Sequence, residues 1–214
     1  MRLQGAIFDM DGTLLDSMGA WRTLGSGFIR RQGKEPEPGL DRALHAMSME
    51  EGAAYCVERY GLKVRPEEIS RLLYAEMEEF YRFQVKPKPG IERLLSILKM
   101  EGVWMYVATA TDHPLADVAL EVSGLGKYFR GLLTCGDAGH EKDHPEVYEM
   151  ALRRLRCRKE DTVVFEDSLF ALRTAKTAGF RTAAVYDPSE PNQDAMREEA
   201  DYYIRSFEDW TRIE

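Results

Sequence analysis

The sequence predicts an α/β fold, a doubly wound parallel sheet into which an all-helical segment is inserted, and three observations carry that expectation. The run from Leu3 to Phe8 is short and mostly apolar, as strands buried on both faces of a parallel sheet are. It stops at Asp9-Met10-Asp11-Gly12. From Pro89 onward, apolar runs of strand length alternate with segments of helical period, the pattern of strand-helix-strand crossovers. Between these two regions, residues 17–83 show helical spacing and no convincing strand.

In chain order, Asp16-Ser17 offers helix-capping residue types, and Trp21, Leu24 and Phe28 recur at three- and four-residue spacing, which predicts a helix to about Arg31. Gly33, Pro36, Pro38 and Gly39 interrupt it before a second helical stretch over residues 40–47. Ser48 with Glu51 has the form of a capping box and opens a third helix, which stops at Tyr60-Gly61. Pro66-Glu67-Glu68 opens a fourth, with Ile69, Leu72, Leu73, Met77 and Phe80 on one face. The predicted division is residues 1–16 and 84–214 for the α/β core and residues 17–83 for a helical cap, with Pro87 and Pro89 stiffening the return.

Past Pro89, Ile91, Leu94, Leu95 and Leu98 mark an amphipathic helix followed by Gly102, and residues 103–108 read as the second buried strand. A helix over residues 114–122, a short strand over 132–134, a helix over 145–156, a strand over 162–165, a helix over 168–178 and a strand over 182–185 follow. The segment 191–200 is polar, Tyr202-Tyr203-Ile204 predicts an edge strand, and residues 207–210 a last helix.

Hydrophobic residues at 44% and charged residues at 31% match a soluble globular chain, and no apolar run approaches the length of a membrane-spanning helix. Met1-Arg2-Leu3-Gln4-Gly5 runs straight into the first strand and leaves no room for a signal peptide, so a cytoplasmic location is expected. Cys56, Cys135 and Cys157 are odd in number and lack CxxC spacing, which argues against a disulfide framework and a zinc site. A net charge of −8 disfavours nucleic acid as a partner but permits a locally positive pocket for a small phosphorylated metabolite.

Functional groups in parallel sheets sit at the carboxyl ends of strands. Asp9 and Asp11 share a side along an extended exit from the first strand, and Gly12 permits a tight turn. The pair suits a cation or a phosphate; equally, Asp and Gly are ordinary turn residues. At the end of the second strand, Thr109 and the following N–H groups either grip a phosphate oxygen or cap a helix. Lys142, just before a helix, either neutralises phosphate charge or is solvated. Glu166 and Asp167 end another strand and are suitable Mg²⁺ ligands, or they cap the next helix.

The full string from Phe8-Asp9-Met10-Asp11-Gly12-Thr13 to Leu14-Leu15-Asp16-Ser17 resembles the first signature of the haloacid dehalogenase superfamily of phosphatases and phosphotransferases. Acid pair, hydroxyl, lysine and acid pair, each at a predicted strand-to-helix junction, resemble that superfamily's four-signature arrangement. The resemblance covers nearly the whole chain, and the insertion after the first signature resembles the helical cap of the β-phosphoglucomutase-like and phosphatase branch. It implies a Rossmann-like core and a cap that closes over a phosphoester and excludes water.

Carried over residue by residue, the resemblance implies that Asp9 is the nucleophile, forming an aspartyl-phosphate, and that Asp11 protonates the leaving alcohol and then takes a proton from water. It implies Mg²⁺ held by Asp9, the main-chain carbonyl of Asp11 and Asp167, with Glu166 acting through water. Thr109, the N–H of Ala110 and Lys142 would hold the phosphoryl oxygens. Lys142-Asp143-His144-Pro145 departs from the Lys-Pro-x-Pro of many relatives, yet Lys142 is preferred to Lys127, which lies too early. The presence of Asp11 argues against carbon-halogen chemistry, which needs no leaving-group proton. Trp21 and Met49 stand where β-phosphoglucomutase offers a histidine and an arginine, and neither binds a phosphate by charge. They either pack within the cap or wall the substrate, and their presence favours hydrolysis over a sugar-phosphate mutase. A catalytically silent binding protein of the same fold would have no need of Asp11. The expected activity is therefore a Mg²⁺-dependent phosphomonoesterase acting on a small phosphorylated metabolite.

Overall fold

The computed structural model describes residues 3–44, 47 and 49–209. Six strands form one parallel sheet: β1 (Gly5–Phe8), β2 (Trp104–Thr109), β3 (Leu132–Thr134), β4 (Thr162–Glu166), β5 (Arg181–Val185) and β6 (Tyr202–Ile204), in the order β3-β2-β1-β4-β5-β6. The chain builds outward from β1 to β3, then crosses to the other side of β1 and builds outward again to β6. That reversal of direction makes the carboxyl ends of β2, β1 and β4 the crevice where ligands bind in open α/β sheets.

Two compact units divide the chain, Met1–Ser17 with Val85–Glu214, and Met18–Gln84. In the first unit β1 is fully buried along its length, as its continuous apolar run requires. Ile7, Tyr106, Ala108 and Val164 of the sheet share a core with Val147, Tyr148, Ala151 and Leu155 of a covering helix. The rings of Phe8 and Phe165, paired across β1 and β4, stack with centroids 4.1 Å apart.

The second unit holds α1 (Met18–Arg31), α2 (Leu40–Leu44), α3 (Met49–Tyr60) and α4 (Pro66–Phe83). On α4 the buried hydrophobic residues are Ile69, Leu73, Met77 and Tyr81, four apart along one face. Leu72, expected on that face, is instead 50% exposed, and Tyr81 completes the stripe. The indole N–H of Trp21 donates to the Tyr81 hydroxyl at 3.0 Å, tying α1 to α4. Met49 is partly buried, and its main-chain carbonyl accepts from the Ser70 hydroxyl at 3.4 Å.

The remaining helices all belong to the sheet unit: α5 (Ile91–Met100), α6 (His113–Val122), α7 (Cys135–Ala138), α8 (Glu146–Leu155), α9 (Leu169–Thr177) and α10 (Gln193–Glu199). Pro145 and Ser168 flank α8 and α9 rather than beginning them. The sequence pattern does not predict two of the helices, α7 and α10. A capping box between Thr134 and Asp137 closes the short α7, and α10 lies in the segment read as merely polar, its Met196 buried on Leu169, Leu172 and Ala184. Phe207–Asp209 forms a short 3₁₀ turn, whereas Trp210 and the Ser48 capping position lie outside the described residues. Gly90 has φ 81°, and a Cβ there would meet the backbone of Phe207 and Glu208 at 2.5 Å. Among the described residues no helix is long and apolar enough to cross a membrane.

Candidate active site

β1 ends at Phe8, and the next residue leaves the sheet still bonded to it: the Asp9 N–H donates to the Phe165 carbonyl of β4 at 3.0 Å. Asp9 is thereby held one step from Glu166, the last residue of β4. The chain then turns through Gly12 at φ 83°, a left-handed conformation that glycine adopts without strain. Lys142 comes from the loop between α7 and α8, and its Nζ donates to Asp9 Oδ1 at 2.5 Å and to Glu166 Oε1 at 2.7 Å. Asp167, just past β4, completes a buried cluster in which one carboxylate oxygen each from Asp9, Glu166 and Asp167 lies within 4.8 Å of the others. Residues far apart in sequence thus meet because the strands that carry two of them are neighbours.

Asp11 is not one of the three clustered carboxylates, although its charge is felt at Asp9. Ser17 Oγ donates to its Oδ1 at 2.6 Å and Thr111 Oγ1 to its Oδ2 at 2.7 Å. The Ser17 hydroxyl, expected to cap the first helix, is directed to Asp11 instead. Thr109 is fully buried as the last residue of β2, and its Oγ1 accepts the Thr111 N–H at 3.1 Å. Thr109 does not cap α6, whose N-cap is Asp112, and Ala110 is exposed at the same strand end. Lys127 is remote from the cluster, paired on the surface with Glu92 at 2.9 Å.

The sequence pattern does not single out Tyr148. Its hydroxyl donates to Glu166 Oε1 at 2.6 Å, so one carboxylate oxygen receives both the Lys142 ammonium and a phenol. Tyr148 projects from α8 into the same core that buries Ile7 and Val164, and in sequence it is indistinguishable from any core aromatic on an amphipathic helix.

Three carboxylates around one ammonium leave an excess of negative charge in a place shielded from water. Burial, and then the neighbouring charges of Asp9 and Glu166, push the Asp167 carboxyl well above its ordinary range. Burial likewise pushes Glu166 up to about 7 against the pull of Lys142. Asp9 is also raised, burial outweighing Lys142. For Lys142 burial acts downward, but the charges of Asp9 and Glu166 prevail and raise it, so it stays an ammonium. Asp9 Oδ2 is buried with no hydrogen-bond partner. An unpartnered buried carboxylate oxygen, an oxygen-only donor set and surplus negative charge fit a hard divalent cation.

A sequence profile of the haloacid dehalogenase-like hydrolases matches residues 6–185. Among curated proteins, the chain is 29% identical over 177 residues to a phosphorylated carbohydrates phosphatase of Thermotoga maritima, covering 83% of this chain and 82% of that one. It is 26% identical to hexitol phosphatase A of Escherichia coli, over 99% of this chain and 94% of the other. A solved structure of a candidate β-phosphoglucomutase from Thermotoga maritima superposes with a TM-score of 0.80 at 26% identity, covering 96% and 95% of the two chains. CbbY from Rhodobacter sphaeroides in complex with phosphate, 24% identical, shares the fold at a TM-score of 0.80 over 97% and 96% of the chains. The profile match runs from within β1 to the end of β5 and includes every residue of the buried cluster, so the chain belongs to the haloacid dehalogenase-like hydrolase family.

Proposed function

We propose that this hydrolase is a Mg²⁺-dependent phosphomonoesterase of small phosphorylated metabolites, acting through an aspartyl-phosphate on Asp9. The observation that carries the reading is the buried meeting of Asp9, Lys142, Glu166 and Asp167, with one oxygen of Asp9 left without a partner. Asp9, Asp167 and the main-chain carbonyl of Asp11 would hold Mg²⁺, with Glu166 acting through water. When bound, the cation neutralises the phosphoryl oxygens and the surplus carboxylate charge.

Asp9 forms the new O–P bond as the bond from phosphorus to the leaving oxygen breaks, and the proton for that oxygen comes from Asp11. Ser17 and Thr111 grip both oxygens of Asp11 and fix its direction. Asp11 then receives a proton from the water that attacks phosphorus, the Asp9–phosphorus bond breaks, and inorganic phosphate leaves. Lys142, Thr109 and the N–H of Ala110 hold the phosphoryl oxygens, with Lys142 kept in place between Asp9 and Glu166.

The helical unit, Met18–Gln84, would act as the cap that recognises the rest of the substrate. Its Trp21 commits the indole N–H to Tyr81, and neither Trp21 nor Met49 offers a charge for a second phosphate, which supports hydrolysis rather than mutase chemistry. The names of the relatives put sugar and polyol phosphates first among candidate substrates.

The test is release of inorganic phosphate from a panel of phosphorylated metabolites with Mg²⁺, for the native chain and for Asp9→Asn, which keeps the shape and removes the nucleophile. Metal-dependent turnover, lost in Asp9→Asn by at least about a thousandfold, is expected. Turnover retained by Asp9→Asn would end the aspartyl-phosphate reading.

A further inference from the structure

Residues 85–88 run beside the turn that follows β1. The Asp16 N–H donates to the Lys86 carbonyl and the Lys88 N–H to the Leu14 carbonyl, both at 2.9 Å, and Leu15 and Pro87 form an isolated antiparallel bridge. The backbone of Lys88 is thus bonded to the loop that carries Asp9 and Asp11. Its side chain reaches elsewhere: Nζ donates to Asp187 Oδ2 at 2.6 Å and to the Tyr186 carbonyl at 3.1 Å. Asp187 is 1% exposed, and its Oδ1 accepts the Ser189 N–H at 2.9 Å. The phosphatase chemistry uses neither residue, yet Asp187 is buried and Lys88 largely so, their side chains 2% and 11% exposed, and removing one partner from such a pair is strongly destabilising.

The position of the pair suggests its use. β4 and β5 are neighbours with Glu166 opposite Ala184, Asp167 follows β4 directly, and Asp187 lies two residues beyond β5. Asp187 is among the charges felt by Asp167, after burial, Asp9 and Glu166. Lys88 therefore joins the Asp9 loop, through its backbone, to a buried carboxylate beside the cation cluster, through its ammonium.

We propose that Lys88 and Asp187 tune the cation site: the balance of the pair's two charges, held beside Asp167 at the exit of β5, sets how tightly Mg²⁺ binds. The inference rests on the reading above only in taking Asp9, Glu166 and Asp167 as that site. A net charge added or removed at this place acts on the cation through a partly shielded interior, so fold-changes of measurable size follow.

Titrating Mg²⁺ alone into the full chain by calorimetry tests it without substrate. Asp187→Asn keeps the side chain's shape but leaves the Lys88 ammonium uncompensated, and is expected to weaken Mg²⁺ binding about fivefold. Lys88→Met/Asp187→Asn removes both charges and is expected to return to within about twofold of native, a rescue that a merely displaced loop does not give. Native affinity in Asp187→Asn, or a double variant as weak as the single one, overturns the inference. If Asp187→Asn does not fold, Lys88→Met decides the question from the other side: about fivefold tighter binding is expected, and unchanged affinity overturns it. Asp9→Asn, titrated alongside, separates the two levels. Mg²⁺ binding lost in Asp9→Asn but unaltered in Asp187→Asn overturns this inference alone; a native chain that binds no Mg²⁺ overturns it together with the cation site.

Discussion

Lys142 carries its charge into a place that burial alone would deny it. Its side chain is 5% exposed, and only the carboxylates of Asp9 and Glu166 make an ammonium stable there. Lys142→Met leaves those two acids facing each other without a counter-charge. We expect phosphatase turnover to fall by at least about a hundredfold and the chain to lose about 3 kcal/mol of stability, read from hydrolysis rates and urea unfolding. Lys127→Met is the control: Lys127 forms a surface pair with Glu92, and turnover within about twofold of native is expected. Equal loss in the two variants would refute the assignment of Lys142. The order of the acid pair, hydroxyl, lysine and acid pair was legible in the sequence because strand ends display functional groups and strands can be recognised by their apolar runs. Tyr148, Ser17 and Thr111 were not legible as site residues. Tyr148 meets Glu166 across 18 residues and Thr111 meets Asp11 across 100, contacts that exist only once the sheet has been assembled.

At the level of elements, legibility followed the amount of apolar surface each one carries. β1, β2 and β4 are almost wholly buried runs, and parallel pairing of β1 with both others follows from that burial. α10 hides because a helix of seven residues needs only a narrow contact, and in Gln193–Glu199 that contact centres on one side chain, Met196, with no exposure at all. Its neighbours supply polar fastening instead: Gln193 donates to the carbonyls of Asp187 and Glu190 and accepts from the Tyr203 hydroxyl. If Met196 is the anchor, Met196→Ala opens a cavity against Leu169 and Leu172 and costs about 3 kcal/mol by urea unfolding. A loss below about 1 kcal/mol would mean that the polar contacts alone hold α10 to the sheet.

For the whole molecule, the period changes at Pro89 and the chain divides into a strand-bearing unit and a helical one, whereas the charge balance of the interior could not be read from a net charge of −8. That balance governs how stability responds to pH. In the metal-free chain Glu166 titrates near 7 when folded, against 4.5 ordinarily, and Asp9 and Asp167 are raised as well, all chiefly by burial. A carboxyl with a raised folded-state pKa binds its proton more tightly in the native state than in the unfolded chain. Its contribution to stability is therefore complete below the ordinary carboxyl range and is lost as pH rises through the folded value, for Glu166 near 7. The proposed Mg²⁺ would act in the opposite sense, by binding the deprotonated carboxylates and stabilising only the folded chain. Thermal unfolding should show both effects. With a chelator present, Tm is expected to fall between pH 5 and pH 8, and the rise in Tm on adding Mg²⁺ is expected to be larger at pH 8 than at pH 5. A Mg²⁺ response that shrinks as pH rises would show that the cation does not compete with protons at these carboxylates, and would overturn the proposal that Asp9, Glu166 and Asp167 form the metal site.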